Sequence, residues 1–216
     1  MIKNEFTKRF FSSAILIPIT LFIIIEGSFL FTFFILISLI IATYEWLKMS
    51  KSDIQKILGL FFLIISFYTI FKIRNDFNQD YFHILFVAIV CVSTDMGGYI
   101  FGKFFKGPKL TKLSPNKTYT GVIGSFLIPI IITYLFFELS LNIHNFEFTK
   151  KTLVFVLIIS LVSQIGDIII SFFKRLSKIK DTGNIIPGHG GILDRIDGMI
   201  FAYPFSYLVF LNWNFQ

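Results

Sequence analysis

Two aspartates, Asp194 and Asp197, stand three residues apart just before an apolar stretch near the end of the chain. Side chains at this spacing project to one side of a helix, so the two carboxylates would share a face. Asp95 and Asp167 lie inside other apolar stretches, where a charge is costly and usually faces a polar interior. Magnesium prefers oxygen ligands such as these. The four aspartates therefore predict a magnesium site.

Asp167 belongs to a longer polar pattern. Gln164, Asp167, Ser171, Lys174 and Lys178 follow one another at spacings of three or four. This spacing places them along one face of a helix. A single hydrogen bond between helices would also explain an isolated aspartate, but the continuation of the stripe into lysines favours a functional face.

Cations and glycines surround the aspartates. A glycine-containing turn before a helix, here Gly190 and Gly191, can present backbone N–H groups to an anion. Metal-binding acids, phosphate-binding cations and such a turn together predict a phosphorylated substrate. The cations that could neutralise phosphate oxygens are Lys174, Arg175, Lys178, Lys180 and Arg195.

Asp95 has two glycines, Gly98 and Gly102, on its own face of a predicted helix. Glycine allows another group to approach the helix backbone closely. That group could be a ligand or a neighbouring helix, and the sequence leaves both readings open.

The elements that position these residues are transmembrane helices. The chain is 55% hydrophobic and 15% charged, whereas soluble domains are nearer to a quarter charged. Because a transmembrane helix needs about 20 largely apolar residues, we predict an all-α, polytopic bundle of about seven spans. It would form a single domain over 1–216, with N-terminal spans in 1–80 and a catalytic part in 81–216. The windows are 10–26, 28–45, 57–73, 81–101, 120–138, 153–172 and 197–213.

Lysine and arginine favour the cytoplasmic side of short loops. With seven spans and the N-terminus inside, all but four of the 20 lysines and arginines fall on that side. Membrane topology thus explains the net charge of +7, and nucleic-acid binding is not expected. A single cysteine, Cys91, excludes a disulfide within the chain and a cysteine-based zinc site. The four outside cations are Lys72, Arg74, Lys150 and Lys151.

Residues 171–197, here called the signature segment, read SFFKRLSKIKDTGNIIPGHGGILDRID. They resemble the signature of phosphatidate cytidylyltransferases, S-x-x-K-R, four residues, K-D, then P-x-H-G-G-x-x-D-R-x-D. The upstream stretches DMGGYIFGK and LSPNKTYTG are also similar to segments of that family, so the resemblance covers most of the chain. Met96, Asn116 and Thr120 depart from its usual residues.

The resemblance implies an all-helical membrane enzyme that joins CTP and phosphatidate into CDP-diacylglycerol and pyrophosphate, in phospholipid biosynthesis. It implies Mg²⁺, alone or with a second cation, held by Asp194 and Asp167 with Asp197 and Asp95. Lys174, Arg175 and Arg195 would steady the leaving pyrophosphate. The remaining residues expected to contact substrate are Ser171, Lys178, Lys180, His189, Gly190, Gly191, Lys112, Ser114, Lys117 and Thr118. The alternative for His189 is that it only braces the turn at Gly190 and Gly191.

The site would face the cytoplasm from a bacterial inner membrane, where CTP and the lipid headgroup can both reach it. The oligomeric state stays open, a homodimer included. A CTP-dependent polyisoprenoid or lipid kinase and an anionic-solute transporter are the alternative functions. A CDP-alcohol phosphotransferase is disfavoured, because the residues after DRIDG lack the rest of that family's motif.

Overall fold

The chain is all-α, as predicted. A computed structural model describes residues 2–76, 81–109, 117–144 and 147–212. Within these ranges the β-structure is limited to two isolated bridges, Lys109 with Thr118 and Ile186 with Gly190. The helices are α1 (Ile2–Glu26), α2 (Ser28–Met49), α3 (Asp53–Asp76), α4 (Phe82–Phe105), α5 (Tyr119–His144), α6 (Lys150–Leu176), α7 (Leu193–Ile196) and α8 (Met199–Asn212).

Five described helices, α2 to α6, are long and apolar enough to cross a membrane. The apolar part of α1, Phe11–Glu26, and helix α8 are shorter, so the predicted count of about seven spans is not confirmed. Large apolar side chains point outward, including Phe29 at 75% exposure and Phe104 at 78%. These features identify an integral membrane protein, because soluble proteins rarely expose such large apolar surfaces to water.

The fold divides into two compact units. Unit 1 comprises Met1–Ile84 and Phe172–Asp197, and unit 2 comprises Leu85–Ser171 and Gly198–Gln216. Almost all of the signature segment therefore folds with the N-terminal helices, whereas the sequence grouped it with 81–171. The single domain predicted for 1–216 stays a prediction.

In unit 1, helix α2 packs against α1, α3 and α7. Its Trp46 is 5% exposed and donates a hydrogen bond from Nε1 to the Gln55 carbonyl at 3.1 Å. Gly59 makes room for the indole, since a Cβ there would overlap the ring. Phe173 packs against Trp46 edge to face, with ring centroids 5.1 Å apart. This packing ties the start of the signature segment to α2.

Arg74, one of the four cations expected on the outer side, has a structural role that its charge alone did not predict. It is 7% exposed, and its guanidinium donates to the carbonyls of Ile24 and Ile25 at 3.2 Å each. These are among the last carbonyls of α1, which have no partner within the helix. Gly27 follows with a φ of 68° and separates α1 from α2. Arg74 thus fixes the turn between the first two helices.

The core of unit 2 is aromatic. Phe86 packs against Phe137 and Phe155, with ring centroids 5.6 and 5.7 Å apart. Phe155 also contacts Phe210 of α8 at 5.4 Å. Such pairs add directional contacts to the burial of their apolar area. They join α4, α5, α6 and α8 within the unit.

Helices α4 and α5 approach closely through glycines. A Cβ on Gly97 would overlap the Gly124 carbonyl oxygen, and one on Gly98 would lie 2.7 Å from Ser125 Oγ. A Cβ on Gly102 would lie 3.1 Å from Thr118 Oγ1. Of the two readings left open for Gly98 and Gly102, the structure supports close helix packing.

Gly97→Ala should destabilise unit 2, because the added methyl meets a backbone carbonyl that cannot move aside. Overpacking of this kind costs about 1–3 kcal/mol, so the melting temperature in detergent should fall by several degrees. Gly102→Ala is the matched control, since its Cβ would meet the end of a threonine side chain. Equal melting temperatures for the two variants would contradict a tight contact at Gly97.

Candidate active site

A buried lysine joins the two aspartates at the end of the signature segment. Lys174, near the end of α6, is 8% exposed. Its Nζ donates to Asp194 Oδ1 at 3.1 Å and lies 3.7 Å from Asp197 Oδ2. The prediction that Asp194 and Asp197 project to one side is confirmed, because one ammonium group contacts both. Burial strengthens these ion pairs, since little water is left to screen them.

The other oxygen of Asp194 binds backbone. Its Oδ2 accepts hydrogen bonds from the N–H of Thr182 at 2.8 Å and of Gly191 at 3.0 Å. Gly190 has a φ of 85°, and a Cβ there would lie 2.8 Å from Asp194 Oδ2. The carboxylate of Asp194 therefore organises the glycine turn. The N–H of Gly191, which was expected to face a substrate phosphate, points to this carboxylate.

Glu45 of α2 is a third buried acid, which the sequence analysis did not select. It is 1% exposed, and Oε2 accepts from Thr182 Oγ1 at 3.0 Å. The backbone N–H of Ile192 donates to Oε1 at 3.0 Å, and that of Leu193 donates to Oε2 at 2.8 Å. The sequence signal that could have selected Glu45 is its position at the end of an apolar window, where a charged side chain is costly and usually has a specific partner.

His189 and Arg195 hold each other and α1. The ring of His189 hydrogen-bonds to Ser12 Oγ at 2.8 Å through Nδ1 and to Ser13 Oγ at 3.2 Å through Nε2. The guanidinium of Arg195 donates to the His189 carbonyl at 3.0 and 2.7 Å. Both side chains were expected to contact substrate. In this structure they fix the loop 187–191.

The polar stripe of α6 ends earlier than its spacing suggested. The helix stops at Leu176, and Lys178 adopts a left-handed conformation with a φ of 56°. The N–H of Lys178 bonds to the Arg175 carbonyl, and that of Ile179 to the Lys174 carbonyl, at 3.0 Å each. This is the Schellman pattern of a helix C-terminus. Lys178 thus turns the chain away from the helix, and with Arg175 and Lys180 it is exposed.

In unit 2, Asp167 lies in a second polar group. Lys117 Nζ is 2.5 Å from Asp167 Oδ2, and Ser171 Oγ donates to Oδ1 at 3.3 Å. The bond between Ser171 and Asp167 supports the predicted one-sided stripe in this part of α6. The contact with Lys117 brings together two predicted site residues that are 50 positions apart in sequence.

The other predicted residues of unit 2 fall into three cases. Thr118 immediately precedes α5, and its Oγ1 accepts a hydrogen bond from the N–H of Gly121 at 3.1 Å, as a helix-capping threonine does. Asp95 is exposed. Lys112 and Ser114 lie outside the described residues, so their predicted role stays a prediction.

Comparison with known proteins decides the family. Residues 52–213 match the model of the cytidylyltransferase family. The chain belongs to the cytidylyltransferase family. A phosphatidate cytidylyltransferase of Rickettsia conorii is 33% identical over 96% of this chain and 92% of its own length. A protein of the same name from Rickettsia bellii is 33% identical over 96% of this chain and 91% of its own length. One from Bacillus subtilis is 35% identical over 70% of this chain and 56% of its own length.

Several residues that contact the signature segment lie before the first residue of the cytidylyltransferase match. Ser12, Ser13 and Glu45 all precede residue 52. The signature segment lies wholly inside the match. In this cytidylyltransferase, the loop of the signature segment is therefore held by side chains that the family match does not include.

The acids of the signature segment suit a cation by their donor chemistry. Asp194 and Asp197 together contact the positive charge of Lys174, and carboxylate oxygens are ligands that magnesium prefers. Across residues 2–76, 81–109, 117–144 and 147–212, no group of three or more histidine, cysteine, aspartate or glutamate side chains forms a ready metal cluster. A bound ion would therefore rely on a carboxylate pair, water and substrate oxygens.

Proposed function

We propose that this chain is a CTP:phosphatidate cytidylyltransferase that forms CDP-diacylglycerol and pyrophosphate. The observation that carries the proposal is the buried group of Lys174, Asp194 and Asp197. It lies within residues 52–213, which match the cytidylyltransferase family. The five apolar helices agree with a lipid substrate.

The reaction needs charge neutralisation more than a base. A phosphate oxygen of phosphatidate attacks the α-phosphorus of CTP, and the bond between the α-phosphorus and its bridging oxygen to the β-phosphorus breaks. The electron pair leaves with pyrophosphate. Since the second pKa of a phosphate monoester is about 6, the attacking oxygen is mostly deprotonated at neutral pH. The barrier lies in bringing an anion to a polyanion, as in other phosphoryl transfers.

We assign the neutralising charges to residues named above. Asp194 and Asp197 would hold Mg²⁺, which supplies positive charge at the triphosphate when bound. Asp95 and Asp167 belong to unit 2, and their part in holding the ion stays a prediction. Lys174 holds the carboxylates of Asp194 and Asp197. The exposed cations that would bind phosphate oxygens are Arg175, Lys178, Lys180 and Arg195.

The site is proposed to face the cytoplasm from a bacterial inner membrane. The exposed cations of the signature segment belong to the cation-rich side of the chain, which is the cytoplasmic side by the distribution of lysine and arginine. CTP is available on that side. Phosphatidate presents its headgroup at the membrane surface, so both substrates can meet there.

The position of label transfer tests this function. Purified protein in detergent micelles with phosphatidate and Mg²⁺ should transfer label from α-labelled CTP to the lipid. With γ-labelled CTP the label should appear in pyrophosphate. Appearance of the γ label in the lipid would indicate a CTP-dependent lipid kinase. Uptake of an anionic solute into proteoliposomes without nucleotide, with no label transfer, would indicate a transporter.

A further inference from the structure

Glu45 is a carboxylate buried in an apolar region of unit 1. It is 1% exposed and lies on α2 beside Ala42, Trp46 and Met49, which are also buried. Burying a charge is costly unless hydrogen bonds or an opposite charge compensate it. The environment of Glu45 therefore has to supply strong partners, and these show what the residue does.

Among the residues that the structure describes, the hydrogen-bond donors to Glu45 all belong to the signature segment. Thr182 Oγ1 and the N–H groups of Ile192 and Leu193 donate to its two oxygens at 2.8 to 3.0 Å. Ile192, the residue before α7, makes no side-chain capping hydrogen bond. The N–H groups at the start of a helix have no partner within it, and Glu45 supplies, from α2, the acceptor for those of Ile192 and Leu193.

Two glycines of the signature segment make room for Glu45. A Cβ on Gly183 would lie 2.6 Å from Glu45 Oε1, and a Cβ on Gly191 would overlap both carboxylate oxygens. A larger residue at Gly191 would displace the carboxylate from the N–H groups. The glycine at 191 is thus explained by the approach of Glu45, which the sequence analysis did not consider.

The contacts of Glu45 involve residues that contact or adjoin Asp194. Thr182 donates to Glu45 through its hydroxyl and to Asp194 Oδ2 through its N–H. Ile192 and Leu193 immediately precede Asp194. A shift of Glu45 would consequently move Thr182, whose N–H binds the Asp194 carboxylate, and the backbone that leads into Asp194.

The same loop borders a cavity of about 210 Å³ in unit 1, lined by Lys48, Met49, Ile179 and residues 181–184. This volume is below the roughly 300–1,000 Å³ of most ligand pockets, so the cavity alone does not define a nucleotide site. Thr182 forms part of its wall. Glu45 thus fixes a wall of the cavity as well as the aspartate.

We infer that Glu45 is a positioning residue for the proposed cytidylyl transfer: it holds residues 182, 192 and 193 so that Asp194 keeps its place. The inference rests on the proposed function. It extends the machinery to α2, before the residues that match the family.

Glu45→Gln tests the inference at constant size. A glutamine amide offers one acceptor oxygen and turns its NH₂ group toward a donor, so at least one contact is lost. Loss of such supporting contacts typically costs about 10- to 100-fold in activity. We expect kcat/KM to fall by that factor, with a rise in the KM for CTP. If the variant merely contained less folded enzyme, the maximal rate would fall but the KM for CTP would not change.

Asp53→Asn is the matched control. Asp53 begins α3 on the surface, where it pairs with Lys56 at 2.8 Å and its side chain is 88% exposed. The change removes one negative charge, as Glu45→Gln does, but leaves the signature segment untouched. Its kcat and its KM for CTP should match those of the wild type.

Limited trypsin digestion gives a readout that does not depend on activity. Lys178 and Lys180 are exposed, and the loop that follows them is held in part by Glu45. Cleavage after these lysines should be faster in Glu45→Gln than in the wild type or Asp53→Asn. If Glu45→Gln does not fold, Thr182→Val removes one of the same contacts at nearly constant shape, and its KM and cleavage rate should move in the same directions.

Wild-type kinetics and wild-type cleavage in Glu45→Gln would overturn the inference. A lower maximal rate with unchanged KM and unchanged cleavage would overturn it too, because only the amount of folded enzyme would have changed. Failure of the proposed function is a separate result. In that case the wild-type protein itself would form no CDP-lipid, whereas faster cleavage in the variant would still support the role of Glu45 in holding the loop.

Discussion

Asp194→Asn should lower CDP-lipid formation by at least about 100-fold, the loss typical of removing one preorganised electrostatic group from an active site. The side chain keeps its size but loses its charge, and its new NH₂ group must face either Lys174 or the N–H groups of Thr182 and Gly191. Each of these is a donor. The measurement is the rate of α-label transfer from CTP to phosphatidate at saturating Mg²⁺.

Two companion variants sharpen this prediction. Asp197→Asn should have a smaller effect, because Asp197 is 3.7 Å from Lys174 whereas Asp194 is at 3.1 Å. Asp53→Asn should be neutral. Near wild-type rates for Asp194→Asn, with the protein inserted and folded, would rule out the role given to this carboxylate.

The sequence predicted the features that depend on local pattern. Apolar windows located the long helices, because a membrane span is an uninterrupted run of apolar residues that can be read directly from the sequence. The three-residue spacing of Asp194 and Asp197 correctly placed both on one side, and Lys174 contacts both. The i, i+4 spacing of Asp167 and Ser171 likewise appears as a hydrogen bond. Each of these relations lies within a single helix or a single turn.

The contacts between distant segments were missed. Glu45 binds residues 137 to 148 positions away, and His189 binds Ser12 and Ser13 from 177 and 176 positions away. Periodicity carries no information on such pairs. The sequence therefore left open whether His189 binds substrate or braces the glycine turn, and it assigned Arg195 to substrate without showing its hydrogen bonds to the His189 carbonyl.

The grouping of the chain follows from these long-range contacts. Sequence reasoning divided the N-terminal spans from a catalytic part at about residue 80, because every motif it selected lies after residue 90. In the structure, residues 172–197 fold with α1, α2 and α3. Trp46 packs against Phe173, and Ser177 Oγ donates to the Met49 carbonyl. The N-terminal helices are therefore part of the support of the candidate site.

Lys174→Met should strongly destabilise unit 1. Methionine has a similar length but no charge, so two largely buried carboxylates would lose their cation. Their side chains are only 4% and 13% exposed. Breaking a buried ion pair by removing one partner costs about 3–5 kcal/mol, because the remaining charge is left without compensation. A large fall in melting temperature is expected, together with loss of activity.

A double variant tests whether the loss comes from the unpaired carboxylate. In Lys174→Met/Asp194→Asn the uncompensated charge at 194 is gone, so the melting temperature should recover part of the fall, although activity should not return. The protein contains two tryptophans, and in a Trp213→Phe background the fluorescence of buried Trp46 would follow the unfolding of unit 1. Additive losses from the two single changes would contradict the coupling. A shortfall from additivity would show that Lys174 stabilises the fold mainly by neutralising Asp194.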